Sequence, residues 1–484
     1  MTFFAGRSTV LSLLFVFFVT TGIWGMTSPL QADALPQKLY DSLAEPDFST
    51  ARQLLEEHRG KPVVPFWLGW IAFQQEDYSR SYQHFQEALA QLNSDNPRYR
   101  DTLYFLDRMK LYHTPSATVP TVRVQIIENQ TRISGSANKN LVIRNEDGKN
   151  VASLSGRWRA EIEEDSVLIT SGSERLARGN RFQLSSENST INFEGKSYRG
   201  TLWIRAGEGR LNLLNELALN EYLYGVVKKE LSAGWPMAMV RAQAVAARSF
   251  ALYQILRNQD KAYDLSSSWL SQVYGGASAE TPRIRKGVDQ TKGEILTYRG
   301  RIVPAYFHAN SGGHIESPAR VWGGEPTPFV RPRADTWSLE TKHASWETTL
   351  SRETFVQKLV QGGYPEPESG SISLQVQKFL PSGRAKILQY ASKQGTVRIS
   401  ANDFRIAIGP ERIKSSWFDQ IRETNNQFRF QGRGWGHGVG MSQWGGRAMA
   451  EAGHNYREIL SFYFAPTKVV GQYGPTHLSA NPNP

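Results

Sequence analysis

Residues 220–257 read NEYLYGVVKKELSAGWPMAMVRAQAVAARSFALYQILR, two helical patterns parted by a short break. Asn220 suits an N-cap, and Glu221 just inside it suits the positive end of a helix. Tyr222, Leu223, Val226, Val227 and Leu231 then recur at helical spacing and form an apolar stripe. Gly234 and Pro236 end the first helix and open the second, with Pro236 at a first-turn position that needs no N–H. Ala242, Ala244, Ala246, Ala247 and Ala251 make the second helix thin enough for another element to approach its backbone. Glu230 falls in the last turn of the first helix, where the dipole disfavours a carboxylate and burial would raise its pKa further. Lys228 and Lys229 pull the other way, so the sequence leaves the net shift open. A carboxylate set against its local preference is a candidate acid catalyst. The plainer reading is a solvated helix-end residue in a KKE cluster.

The chain has 484 residues, room for two or more domains, and a formal charge of +11 with a pI near 9.6. No compact Lys/Arg run or nucleic-acid-reading motif accompanies that charge, which argues against nucleic acid as a partner. An anionic cell-envelope polymer accounts for it equally well. The absence of cysteine excludes disulfides and thiol catalysis. Arg7, the apolar run Val10 to Met26 and the tripeptide Ala32-Asp33-Ala34 form a secretory pattern over residues 1–34, with a cut before Leu35. An uncleaved membrane anchor is the rival reading, since the run is near the minimum spanning length. Either way the chain is expected to be exported, to the periplasm or cell wall.

Residues 37–113 are helical in pattern. Leu68-Gly69, Phe85 and Ala88 fall on the spacing of one tetratricopeptide-like (TPR-like) unit, although stacking normally needs about three. The segment is either a partner-docking module or an ordinary helical hairpin, and TPSATVP (114–120) reads as a linker. From Val122 the hydrophobic period changes to two, around turns at Asp147-Gly148, Gly195-Lys196 and Gly207-Glu208. Residues 120–215 therefore form a β-meander of one or two small sheets, followed by a mixed α/β region over 216–470. The fold class is α+β.

Within that region, Ile302 to Tyr306 reads as a buried strand ending at His308, Asn310, Ser311 and His314 on a Gly312-Gly313 turn. A metal held by His308 and His314 lacks a third ligand. A Ser/His hydrolase at Ser311 lacks the G-x-S-x-G elbow. Gln272 and Tyr274 are cleft candidates, or simply packed. Trp322, Trp337 and Trp346 could stack on sugar rings, although buried tryptophan is the commoner outcome. Gly434, Gly436, Gly438 and Gly440 alternate ahead of a helix opened by Ser442 and permit backbone shapes closed to other residues. The spacing does not fit a phosphate loop. A tight loop that sets His437 and Gln443 beside a substrate fits better, with a loop-bracing His437 as its rival. Asn455 and Glu458 make a capping box, and Pro466 stops the closing helix.

Two runs, 221–252 and 432–469 (GRGWGHGVGMSQWGGRAMAEAGHNYREILSFYFAPTKV), resemble the SpoIID/LytB family of stage II sporulation protein D and amidase-enhancer proteins. They stand in the family's order about 200 residues apart, and the resemblance extends over roughly 122–470. It implies a peptidoglycan lytic transglycosylase whose acid/base is the glutamate after the YGVV segment, here Glu230. Many members read EMP where this chain has Glu230-Leu231-Ser232. The resemblance also implies a cleft lined by His308, Ser311 and Gly312. Some members bind zinc at cysteines that read Ser266 and Ser271 here; serine is a poor zinc ligand, so neither metal nor cofactor is expected. Gln243 and Arg248 on the second helix are further substrate-binding candidates, Arg248 for the sugar's lactyl carboxylate or for a structural pair. Ordinary glycosidases use two carboxylates. Glu221 is out of phase with Glu230 on one helix, and Glu316 and Glu325 are the other nearby candidates. A single carboxylate suits transglycosylation. The alternatives are a non-catalytic enhancer that recruits a cell-wall amidase through residues 37–113, and a structural envelope protein.

Overall fold

The computed structural model describes residues 33, 35–45, 47–75, 77–109, 119–187, 189–268, 272–370 and 372–471. The signal or anchor reading of residues 1–34 lies outside the described residues except at Asp33. Among the described residues, no helix is long and apolar enough to cross a membrane. Contacts divide the chain into two units, one running to Thr114 and taking in residues 299–301, the other starting at Pro115.

The first unit contains helices Gln37–Ala44, Phe48–Glu56, Val64–Gln74, Tyr78–Gln91 and Pro97–Met109. Asp47 and Asp77 cap two of them by accepting from the backbone N–H of Thr50 and Arg80. Gly69 lies flat under the Phe85 ring, where a Cβ would stand 3.0 Å from the ring edge. Phe66, Trp67, Trp70, Phe85, Ala88 and Phe105 form the core around it. Into this apolar cluster the fold buries Arg98, with its guanidinium 5.4 Å from the centre of the Phe66 ring and 5.2 Å from that of Trp67. Arg98 Nε donates to the Asp33 carboxylate at 3.0 Å and Nη1 to Asp101 at 2.8 Å, while Trp67 Nε1 donates to Asp33 at 2.9 Å. A charge this deep persists only because it is paired and hydrogen-bonded. Asp33, the middle residue of the A-x-A tripeptide, is thus part of the helical core.

The second unit begins with the period-two region. Its strands join one antiparallel-rich sheet of eleven strands among the described residues, larger than the small sheets expected. Strand Thr121–Gln130 pairs with Arg210–Ala218, which pairs with Thr201–Gly207 across a Glu208-Gly209 turn. Both turn residues have positive φ, the type I′ geometry that matches strand twist. The chain then passes directly from strand Arg210–Ala218 into helix Leu219–Glu230. Ala218, not Asn220, holds the N-cap position; Asn220 is buried inside the helix. The second helix runs Met237–Arg257 with Pro236 immediately before it.

The alanines explain where this helix sits. One face, with Val240, Ala244, Ala247 and Ala251, packs on the large sheet; the opposite face, with Met239, Ala242, Val245 and Ala246, packs against Val439, Met441, Ile459 and Phe464. Two cores therefore share one helix, and the end of its partner helix, at Glu230, is held between them. Ile302 to Ala305 are buried as expected, but Pro304 leaves the ladder unpaired, and the strand is only Arg301–Ile302. Residues 346–430 carry a separate hydrophobic cluster on two three-stranded sheets, with helices Arg352–Gln361 and Ala401–Ile408. This insert was not visible as a unit in the sequence pattern.

Candidate active site

Glu230 ends its helix and points its carboxyl into a cleft of about 720 Å³. Gln443 Nε2 donates to Glu230 Oε2 at 2.9 Å, and the Val273 backbone also hydrogen-bonds the carboxyl. Burial raises the Glu230 pKa above the ordinary glutamate value, and the two hydrogen bonds oppose it without cancelling it. Lys228 and Lys229 are not among the causes, which settles the balance left open by the sequence. A raised pKa is the direction a general acid needs, because it favours the proton-bearing form.

The opposite rim is built by the glycine loop. Gly434, Gly436, Gly438 and Gly440 all have positive φ. A side chain at Gly438 would collide with the Arg384 guanidinium, and one at Gly440 with the Tyr306 carbonyl. The loop is tied down by a double backbone bond between Asn310 and Trp435, at 3.0 and 2.8 Å, and by Glu316 N–H to the Gly438 carbonyl at 2.8 Å. Strand Phe307–His308 pairs in parallel with Met441–Ser442, and Ser442 caps the following helix Gln443–Glu451. This register puts His308 opposite Ser442, the residue before Gln443.

His437 Nδ1 accepts the Val439 N–H at 3.0 Å, and the ring also bonds the Phe307 backbone. Burial and the nearby Arg405 and Arg384 charges push its pKa down to about 3, so the ring is neutral. It braces the loop and at the same time lines the cleft. His308 is also held neutral, chiefly by burial, and its Nδ1 donates to the Val439 carbonyl at 3.0 Å. Trp322, 42% exposed, flanks His437 with ring centres 5.0 Å apart, and lies 5.0 Å from Tyr306. Phe250, Tyr306, Trp322 and Trp435 give the cleft aromatic walls. Of the three tryptophans weighed as sugar platforms, Trp346 is buried in the insert core, and Trp337 is half-buried against the second core with its ring edge-on to His454.

The cleft thus brings together Glu230, His308, His437 and Gln443 among the residues singled out from sequence. Six others do not line it. Arg248 is buried and donates to the carbonyls of Val288 at 3.1 Å and Glu294 at 3.0 Å. Gln272 accepts from Tyr222 and donates to the Ala247 carbonyl, and Tyr274 donates to Asn215. Gln243 is fully enclosed in the helix packing. Ser311 Oγ bonds Asp335 at 2.7 Å and Ser338 at 2.6 Å, with no imidazole beside it, and Gly312 braces the turn against Arg433 and Gly434. In this structure these six make packing contacts instead of lining the cleft. Glu316 is buried with its Oε1 on Ser317 N–H and Arg320, and Glu325 is exposed elsewhere. A different second carboxylate, Glu411, lines the cleft.

His314 Nδ1 faces the Ile315 carbonyl at 2.7 Å and does not line the cleft with His308. Among the described residues no group of three or more His, Cys, Asp or Glu is placed to hold a metal ion. Ser266 Oγ bonds Ser268 at 2.9 Å, and Ser271 lies outside the described residues.

Comparison with known proteins agrees with this architecture. The family profile described as Stage II sporulation protein (SpoIID) matches residues 207–298, the stretch that carries Glu230. An uncharacterized protein of Brachyspira hyodysenteriae is 32% identical over 287 residues, covering 59% of this chain and 75% of the relative. Stage II sporulation protein D of Bacillus subtilis is 26% identical over 271 residues, covering 53% of this chain and 75% of the relative. The chain belongs to the SpoIID family. The amidase enhancer of B. subtilis is 28% identical over 343 residues, or 60% of this chain, but the match spans 47% of that protein.

A second profile, described as a domain of unknown function, matches residues 339–440. It coincides with the insert, whose helix Ala401–Ile408 and following turn supply Asn402, Arg405, Ile406, Pro410 and Glu411 to the cleft. Sequence reasoning missed these five. The signal available was weak: a Ser400 N-cap followed by a short amphipathic helix, with nothing to show which partner its exposed face meets.

Proposed function

We propose that this chain is a lytic transglycosylase that cleaves peptidoglycan glycan strands and acts outside the cytoplasm. The observation that carries the reading is Glu230, a buried carboxyl with a raised pKa at the head of an aromatic-walled cleft inside the SpoIID match. In this reading Glu230 gives its proton to the glycosidic oxygen as the C1–O bond breaks and the sugar takes on oxocarbenium character. The resulting carboxylate then removes the proton from the C6 hydroxyl of the same muramic acid. O6 bonds to C1, the 1,6-anhydro ring closes, Glu230 regains its proton, and no water is consumed. Gln443 holds Oε2 in place through both steps. Trp322 and Trp435 offer faces on which sugar rings stack. Neutral His437 and His308 leave no cation against Glu230 to draw off its proton.

The test is digestion of purified glycan strands, with and without stem peptides, by wild type and by Glu230→Gln. Wild type should release fragments, and the variant should release none at a melting temperature no lower than that of wild type. A second reading has its own support in the similarity to a protein named amidase enhancer. If wild type cuts nothing yet stimulates a cell-wall amidase, and Glu230→Gln stimulates equally, the chain is a non-catalytic enhancer, with the helical unit of residues 37–113 as the docking candidate.

A further inference from the structure

Arg405 is a cleft residue whose charge the acid/base scheme does not use. It is 9% exposed, on the insert helix Ala401–Ile408. Its Nε donates to the Lys414 carbonyl at 3.1 Å, and the same carbonyl accepts the Gly436 N–H at 2.8 Å. One oxygen therefore fixes the guanidinium to the glycine loop beside His437. The two terminal nitrogens have no hydrogen-bond partner among the described residues, and they are not sealed from solvent: they open on the cleft. No carboxylate lies within ion-pair distance among those residues, and Glu411, exposed at the rim, acts on the charge only from farther off.

A nearly buried cation with two free parallel donors is costly unless something anionic meets it. Burial alone pulls the Arg405 pKa down to about 10, and the charge depresses both His437 and His308. It is not among the influences on Glu230, so the positive group is set apart from the acid within one cleft. Were it adjacent, it would lower the Glu230 pKa and remove the proton that catalysis needs.

We propose that Arg405 is a substrate-binding residue that takes a carboxylate of the glycan strand in a two-pronged hydrogen bond and so sets which sugar stands over Glu230. This rests on the glycan-cleaving reading above. The fork of one guanidinium fits a carboxylate, and a phosphate dianion, although it fits the same fork, would bring a second negative charge toward Glu411 at the rim. The insert of residues 339–440 thereby acquires a role as the wall that reads substrate charge. The carboxylate has two sources, the lactyl group of strands stripped of stem peptides and the stem-peptide carboxylates of intact strands.

The test uses full-length Glu230→Gln protein, so that binding is read without cleavage. Its affinity is measured for stripped strands, peptide-bearing strands, and both after carbodiimide amidation of their carboxylates. Amidation should weaken binding by about 10- to 100-fold for at least one strand type, and the type affected names the source. In the Glu230→Gln/Arg405→Gln protein the discrimination should vanish, and Arg405→Lys should restore only part of it. Equal binding of native and amidated strands of both types would overturn the proposal, as would discrimination that survives Arg405→Gln. Discrimination by a protein whose wild type cuts no strand would sink the transglycosylase reading and leave the carboxylate subsite standing.

Discussion

Replacing Gln443 by Leu tests how the cleft sets the acid. Gln443 is nearly buried, and its Nε2 donates to Glu230 Oε2 at 2.9 Å, a bond that favours the ionised carboxylate. Hydrogen bonds to charged groups are worth about 1.5–3 kcal/mol, and one pKa unit is about 1.4 kcal/mol. Losing the donor should therefore raise the Glu230 pKa by about one to two units above its already raised value. Leucine is of similar volume, and the Ser442 cap on Gly445 N–H is untouched, so the helix should persist. Cleavage requires the protonated acid, and the rate falls as pH climbs through the Glu230 pKa. The assay is the pH profile of strand cleavage under saturating substrate. The alkaline fall should move up by about one to two pH units in Gln443→Leu. A fall that stays in place, or moves toward acid, would refute the assignment of Glu230 as proton donor or of Gln443 as its modulator.

Glu230→Gln removes a carboxylate that burial disfavours: the raised pKa stabilises the fold below the unfolded-state value near 4.5, and that stability is lost as pH rises through the folded value. The variant should therefore gain melting temperature over wild type at pH 8 and show no gain near pH 4, and a pH-independent difference would contradict the burial argument. Arg248→Met should cost about 3 kcal/mol or more by stranding the buried carbonyls of Val288 and Glu294, seen as a lower denaturation midpoint; a selective loss of substrate binding at full stability would instead return Arg248 to the cleft. Asp33→Ala should destabilise the helical unit by about 3–5 kcal/mol by leaving Arg98 without that carboxylate. For the same reason N-terminal sequencing of the protein purified from its native host should find Asp33 retained, and a start at Leu35 with an unchanged melting transition would show the pair to be dispensable. A chain beginning at Pro115 should fold and bind strands without the helical unit; insolubility rescued only by adding residues 33–114 would show that the two units depend on each other.

The parts of the fold that were legible in sequence are those set by local chemistry. The break at Gly234 to Pro236, the positive-φ glycines 434–440, the Asn455–Glu458 capping box and the period-two strands all depend on backbone constraints that single residues announce. The alanine run in 242–251 announced close packing, and the helix is buried on both faces. The misreadings concern partners chosen in three dimensions. Arg248 and Gln272 look like cleft residues from their motif positions, but their donors are taken by carbonyls. Arg405 and Glu411 lie in a stretch without motif, and only the docking of helix Ala401–Ile408 brings them opposite Glu230. Glu230 itself was readable as a misfit; that burial outweighs Lys228 and Lys229 was not.

The fate of the C1–O bond is the most direct measurement. Purified strands are digested in water enriched in the heavy oxygen isotope, and the muramic-acid ends are weighed. A single acid/base at Glu230 requires ends one water lighter than hydrolysis would give, with no heavy oxygen in them, because O6 of the same sugar is the nucleophile. Ends of full hydrolytic mass that carry the heavy isotope would contradict it and would make Glu411, the second carboxylate in the cleft, the activator of an attacking water.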